Sequence, residues 1–384
     1  MPATPALPVR RTWLQAGLAA AASPWLAGCA GLGGPPPAGR ADGSAPGAAP
    51  LAEAQVAPAV LRRISVGSCA DQTEPQPVWD AVLADAPGLH LFGGDNVYAS
   101  EQPWRAEALR AAYAQAAAVP GFARLRATLP HLAIWDDHDY GLNDGGADFP
   151  HRAASKAEFL RFWQVPAGDE RQAREGLYHA RRFGPPGRCV QVIVLDTRWF
   201  RSAWQPTDQR DAPGKQRYVP SNDVQRSLLG PAQWAWLAGQ LALPADVRLV
   251  VSGIQVLAEG HGFEHWGLFP HEQQRLLELI GRSRANGVLL LSGDRHIGAV
   301  YRRGRGSPSP PYPITELTSS GLTHAWAKAS EPGPNRLGDL VRVNHYALID
   351  IDWDSRSLGL THKDVHGQVL QRHGLRLDEL QAAS

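Results

Sequence analysis

Apolar positions along this chain gather into short runs that stop abruptly at polar clusters. The runs at 89–92, 132–135 and 288–291 give way to Gly93-Gly94-Asp95-Asn96-Val97-Tyr98, to Asp136-Asp137-His138-Asp139-Tyr140, and to Ser292-Gly293-Asp294-Arg295-His296. Runs that short and that apolar predict strands buried on both faces. An alternating stretch at 61–66 predicts another strand, ending at Gly67-Ser68-Cys69. Helical spacing marks 78–86, stopped by Pro87-Gly88, and an Ala-rich helix is predicted over 104–118. Segments 178–183 and 189–195 form a predicted hairpin about Gly184-Pro185-Pro186-Gly187. Gly230-Pro231 opens a helix carrying Trp234, Trp236, Leu237 and Leu241. A strand at 248–251, a helix at 271–283 and strands at 287–291, 314–318, 346–353 and 358–362 complete the pattern. Strands that alternate with helices and then follow one another predict an α/β fold, a two-sheet sandwich with helices outside. No repeat and no break in composition divides the body, so a single domain over 59–384 is expected.

Composition changes this picture little. Hydrophobic residues at 43% and charged residues at 20% exclude a disordered body. Lys plus Arg (38) nearly balances Asp plus Glu (37), so no basic surface is available and no nucleic acid partner is expected. The 14 His residues matter more, because neutral imidazole is a common transition-metal ligand. Three Cys, at 29, 69 and 189, rule out a disulfide framework.

The first residues read as an address. Arg10-Arg11-Thr12-Trp13-Leu14 precedes a weakly apolar, Ala-rich run to Ala27, the form of a twin-arginine signal. The run contains Pro24 and is too short to span a bilayer comfortably. Leu26-Ala27-Gly28-Cys29 resembles a lipobox, so 1–29 is expected to be an export signal with Cys29 as the lipid-bearing residue; an unlipidated secretory peptide is the plainer alternative. Residues 30–58 are rich in Gly, Pro and Ala and predict a flexible tether. The expected location is periplasmic or cell-surface, anchored to the membrane. Twin-arginine export carries folded proteins, which lets a Cys ligand meet its metal before an oxidising compartment.

In α/β sheets, ligands sit where the carboxyl ends of strands release the chain into loops. Asp95 follows two glycines at such an end and is the leading metal-ligand candidate; an Asx-turn or helix-cap role is the alternative. Tyr98 could place a phenolate on the same ion or be an ordinary half-buried Tyr. The acids of Asp136-Asp137-His138-Asp139 would repel one another unless cations neutralised them. Asp294 and His296, two apart at a strand end, are expected to point to one face and one site. Cys69 has three readings: a thiolate ligand, a buried apolar Cys, or a disulfide partner of Cys189.

Together Gly67-Ser68-Cys69, Gly94-Asp95-Asn96-Val97-Tyr98, Trp135-Asp136-Asp137-His138-Asp139-Tyr140-Gly141, Leu195-Asp196-Thr197-Arg198 and Ser292-Gly293-Asp294-Arg295-His296 resemble, in order, the alkaline phosphatase D family of the calcineurin-like metallophosphoesterase group. The resemblance implies a four-layer α/β/β/α sandwich and a site holding Fe(III) with Ca(II), other divalent metals being compatible. It implies that Cys69, Asp95, Tyr98 and His296 bind iron, that Asp95 bridges, and that Asp137 and Asp294 complete the second position. His138 falls where the wider group has a phosphate-contacting, acid-supplying His. The chain departs from that group in Ser68-Cys69, Asp137-His138 and Asp294-x-His296, where Asp and Cys replace several His, which favours harder cations over zinc in the second position. Gln255 stands where the group often supplies another His, and its role is open.

The expected activity is hydrolysis of phosphate esters by a monomeric enzyme, with phosphodiesters of lipid or cell-wall polymers as alternative substrates and a non-catalytic metal-binding lipoprotein as a third reading. Arg198 and Arg295 are candidates for holding phosphate; each could instead pair with a nearby Asp.

Overall fold

The computed structural model describes residues 59–304 and 312–382, all within one compact unit. The expected export signal, Cys29 and the tether lie outside the described residues. Strands run in chain order as β1 (Arg63–Gly67), β2 (Leu89–Phe92), β3 (His131–Ala133), β4 (His179–Phe183), β5 (Val190–Val194), β6 (Val247–Ser252) and β7 (Val288–Ser292). They continue as β8 (Gly298–Arg303), β9 (Ile314–Ser319), β10 (Arg336–Val341), β11 (His345–Asp352), β12 (Ser357–Asp364) and β13 (Val369–Arg376). The α-helices are α1 (Val78–Ala84), α2 (Ala106–Ala118), α3 (Pro120–Thr128), α4 (Asp137–Tyr140), α5 (Arg152–Phe162), α6 (Glu170–Ala173), α7 (Gly230–Leu241) and α8 (Pro270–Arg282).

One sheet has six strands in the order β13-β12-β11-β1-β2-β3, the other seven in the order β10-β8-β9-β7-β6-β5-β4. The neighbours β1, β2 and β3 are parallel, as are β5, β6, β7 and β9. Every residue of β2, β5, β6, β7 and β9 is buried; β7 reads as an apolar run on that account, whereas β9 buries Thr315, Glu316, Thr318 and Ser319 as well. Helices cover the outer faces. Phe92 of β2 packs its ring 6.0 Å from Trp79 of α1, 5.7 Å from Phe122 of α3 and 4.8 Å from Trp163 just beyond α5. On the other sheet, the Gln191 side chain of β5 donates to the Gln240 carbonyl of α7 at 3.0 Å. The inner faces meet directly: Ser68 Oγ donates to the Ser319 carbonyl (3.1 Å), Ser319 Oγ to the Val66 carbonyl (3.2 Å), and His362 Nε2 lies 2.7 Å from the Thr318 carbonyl.

The α/β/β/α sandwich therefore stands as expected. Three strands escape the periodicity: β8, the edge strand β13, whose residues are mostly exposed, and β10, where Gly338 interrupts an already half-exposed edge. The run after 132 also ends early. β3 stops at Ala133, and Asp137–Tyr140 forms a single helical turn instead of a loop.

Candidate metal centre

The carboxyl ends of β1, β2 and β7 release Cys69, Asp95, and the pair Asp294 and His296 within four residues of each strand. The chain turns sharply there. Cys69, Asp95, Asp294 and His296 all adopt left-handed backbone, with φ of 63°, 49°, 69° and 53°. Each such non-glycine residue costs on the order of 1 kcal/mol, so strain is concentrated here. Gly94 (φ 110°) lets the β2 loop pass the β3 loop: a Cβ on it would lie 2.5 Å from Asp136 Cβ. The β1 and β2 loops are then tied together by Cys69 N–H to the Gly94 carbonyl (3.2 Å) and Ala70 N–H to the Asp95 carbonyl (2.8 Å).

Cys69, Asp95 and His296 each offer a ligand atom, all within 4.8 Å of one another. Tyr98 joins them, its hydroxyl 3.2 Å from His296 Nε2 and 3.5 Å from Asp95 Oδ2. Cys69 Sγ lies 3.5 Å from the same carboxylate oxygen and 3.1 Å from Ser320 Oγ. Burial pushes the Cys69 thiol up to about 12 and, with Asp137 and Cys69 nearby, holds the Asp95 carboxyl well above its ordinary range. Burial likewise raises Tyr98, and it drops His296 to about 3 with help from His324.

Asp95 also belongs to a second group with Asp137 and His138, and Asp137 joins a third with Asp136 and Asp294. The Asp95 carboxylate uses Oδ1 on this side, accepting the His138 N–H at 3.1 Å. Burial raises Asp137, but His138, Arg198 and the Asp144 N–H outweigh it and bring the group down to about 2. Asp294 is held well above its usual range by burial and by the Glu264 carboxylate. Asp136 Oδ2, buried, finds no hydrogen-bond donor.

Such an excess of buried acid, with a thiol, a phenol and an imidazole at one end and carboxylates at the other, fits a pair of cations: a transition metal beside Cys69 and a hard, oxygen-seeking ion beside Asp137 and Asp294. Bound cations would reverse the raised acid pKa values.

Four placements differ from what the sequence alone suggests. Asp294 and His296 both line the cleft, but not by strand alternation. β7 ends at Ser292, strand alternation no longer applies in left-handed backbone, and the two side chains join different groups. The acids of 136–139 also separate. Asp139 turns away to cap α4, receiving Asp136 N–H (2.7 Å) and Asn96 Nδ2 (2.6 Å), while Asp136 is gripped by Arg198 Nε at 2.6 Å. Arg198 is fully buried, with Nη1 on Glu264 Oε1 at 2.7 Å and Nη2 3.8 Å from Asp294 Oδ1, so it pairs beneath the site instead of facing a ligand. Arg295 is paired with Glu331 and lies 3.9 Å over the Phe263 ring. Cys69 and Cys189 are both free thiols.

His138 is the most open of these groups, its side chain 22% exposed. Ser100 Oγ holds its Nδ1 at 2.8 Å, and Tyr98 lies against its ring at 4.1 Å between centroids. Gln255 is buried away from the groups, bonded to Tyr301, Thr318 and His261. Sequence reading missed Glu264 and Asp144, which lie with Asp137 in a further ligand-like group, and Arg217, paired with Asp144 at 2.8 Å. The run His261-Gly262-Phe263-Glu264-His265, dense in titratable groups, was the available signal for Glu264. A cleft of about 330 Å³ opens over Asp137, Asp294 and His296.

A two-sheet sandwich whose strand ends deliver adjoining sets of ligand-type side chains to one cleft has the fold of the metallophosphoesterases. A sequence model of the PhoD-like phosphatase family matches residues 64–369, and the chain belongs to that family. It is 24% identical over 195 residues to the alkaline phosphatase D of Bacillus subtilis (strain 168), a match covering 44% of this chain and spanning about a third (31%) of that relative's length. A solved structure of PhoD superposes with a TM-score of 0.64 at 16% identity, covering 86% of this chain and 72% of that one. The purple acid phosphatase PPD1 from yellow lupin (Lupinus luteus) seeds gives 0.56 at 10% identity, covering 83% and 54%. At such identities these structures speak to the fold.

Proposed function

We propose that this protein hydrolyses phosphate esters with two metal ions that Asp95 and the groups around it would hold. The observation that carries the reading is that Asp95 belongs to two ligand groups, one with Cys69 and His296 and one with Asp137 and His138. Cys69, Tyr98 and His296 would hold the first ion with Asp95, and Asp137 and Asp294 the second. Fe(III) suits the thiolate and phenolate, and Ca(II) suits the carboxylates. Bound there, the ions would supply Lewis acidity toward a phosphoryl oxygen and toward water.

The chain's own residues do the rest. With Nδ1 occupied by Ser100, His138 turns Nε2 toward Asp137, 3.9 Å from its Oδ1, where it would be placed to give a proton to the departing alkoxide. Arg198 locks Asp136 and Glu264 beneath the cleft, which fixes the floor on which Asp137 and Asp294 stand. Asp95→Asn should lose both metals and at least about a hundredfold of turnover on 4-nitrophenyl phosphate. Full metal content and ordinary activity in that variant would sink the assignment.

The export signal at 1–29, the tether at 30–58 and the body at 59–384 belong to the same reading, with a monomeric enzyme held at the membrane through Cys29 on the periplasmic or outer side. Cys29→Ser should move the protein from the membrane fraction to the soluble one. A wild type already soluble in the periplasm refutes the anchor and leaves the catalytic reading standing.

A further inference from the structure

The cleft over the candidate metal centre has a floor of acids and a wall of a different kind. Trp326 stands on its rim, one of the few large apolar side chains of the described residues that is exposed, at 38%. Its backbone N–H donates to the His296 carbonyl at 2.6 Å, which ties the main chain of Trp326 to that of a candidate ligand. Phe263, half-buried, lines the same cleft, and its ring meets the indole with centroids 5.7 Å apart and planes at 86°. Two perpendicular rings make an inside corner, offering one aromatic face and one aromatic edge to whatever enters.

The corner is also rigid. Arg295 lays its guanidinium 3.9 Å over the Phe263 ring and 5.6 Å from the Trp326 ring, and its charge is satisfied by Glu331 in a buried pair. Arg217 approaches Phe263 too, at 5.8 Å, while held by Asp144. Neither ring has to be ordered on binding, so little of the contact would be lost to entropy. Those contacts leave the Trp326 indole 38% exposed at the rim of a site for a charged group.

We propose that Phe263 and Trp326 form a subsite for a planar aromatic group, so that the preferred substrates are phosphate esters bearing an aryl or nucleobase-like ring. This rests on the phosphate-ester reading above and names its substrate class. The phosphoryl group sits over Asp137 and Asp294, and the ring fills the corner, stacked on one aromatic side chain and edge-on to the other.

Phenylphosphonate and methylphosphonate separate this subsite from the chemistry, because neither has an ester bond to break. Calorimetry on metal-loaded wild type should find phenylphosphonate bound about tenfold more tightly. Trp326→Ala should bring that ratio close to one, and Trp326→Phe should restore most of it. A wild-type ratio near one overturns the subsite. So does a ratio that survives both Trp326→Ala and Phe263→Ala. Equal weakening of both phosphonates by Trp326→Ala would assign the residue to holding His296 in place, which also overturns it. If wild type binds neither phosphonate, the phosphate-ester reading itself fails and takes the subsite with it.

Discussion

Asp95 and Tyr98 lie three residues apart and meet again at one carboxylate oxygen, Asp95 Oδ2, with Cys69 on its other side. A phenolate on Fe(III) donates charge into the metal and absorbs visible light, so the loaded protein should be coloured. Tyr98→Phe removes one oxygen and keeps the ring against His138, so the fold should persist while the absorption bleaches. A colourless, iron-free and fully active wild type would show that the first ion is something else. At this scale the sequence was legible wherever a candidate followed a strand end within a few residues, as Cys69, Asp95 and Asp294 do. It was not legible where orientation decides the role. Asp136, Asp137 and Asp139 are the same residue type within four positions, yet one meets an arginine, one the cleft and one the helix cap. For Arg198 and Arg295 the sequence left both phosphate contact and pairing with an acid open, and three-dimensional packing shows the carboxylates that engage them.

The elements themselves were read in proportion to their burial. A strand buried on both faces such as β7 carries an unbroken apolar run, whereas β13 takes its place by pairing with β12, which leaves no pattern in its own side chains. The turn α4 was hidden for another reason: its capping box depends on Asp136 and Asp139 seen together, and both look like ligands. Glycines at element ends make a sharp contrast testable. Gly94 has φ 110° and no room for a Cβ beside Asp136, so Gly94→Ala should destabilise the fold by at least about 2 kcal/mol. Gly239, exposed inside α7 with open space about it, should instead gain about 1 kcal/mol as Gly239→Ala. Denaturant midpoints of the two variants would have to move in opposite directions. A Gly94→Ala variant as stable as wild type or more so would mean that the close approach of the β2 and β3 loops is wrong.

For the molecule as a whole, buried titratable groups set how stability depends on pH. In the metal-free protein, burial keeps Asp139 up at about 7 and Glu264 up at about 8, the latter despite Arg198. A raised acid contributes stability that is present below its unfolded pKa and is lost as pH rises through the folded value. Buried imidazoles act on the other flank. Burial lowers His345 to about 4 and His362 to about 3, so their contribution is present above about 6.5 and is lost as pH falls. Above about pH 6.5 the imidazoles have nothing further to add while the acids still lose their contribution, so the metal-free melting temperature should decline from pH 6.5 toward pH 8. Adding the cations should lift the alkaline side, because ionised carboxylates are what they bind. A metal-free protein that grows steadily more stable from pH 6.5 to 8 would contradict the burial of Asp139 and Glu264.

The group around Cys69 and the group around Asp294 each draw on both sheets. Cys69, Asp95, Tyr98 and Asp137 hang from the first, Asp294 and His296 from the second, and contacts such as Ser68 to Ser319 and Ser319 to Val66 bring the halves together at a seam. Ions seated across that seam would act as rivets, and a rivet can be set only when both plates are in position. If the proposed ions are held there, the choice of metal would be made where the two sheets first close, from the ions dissolved at that place.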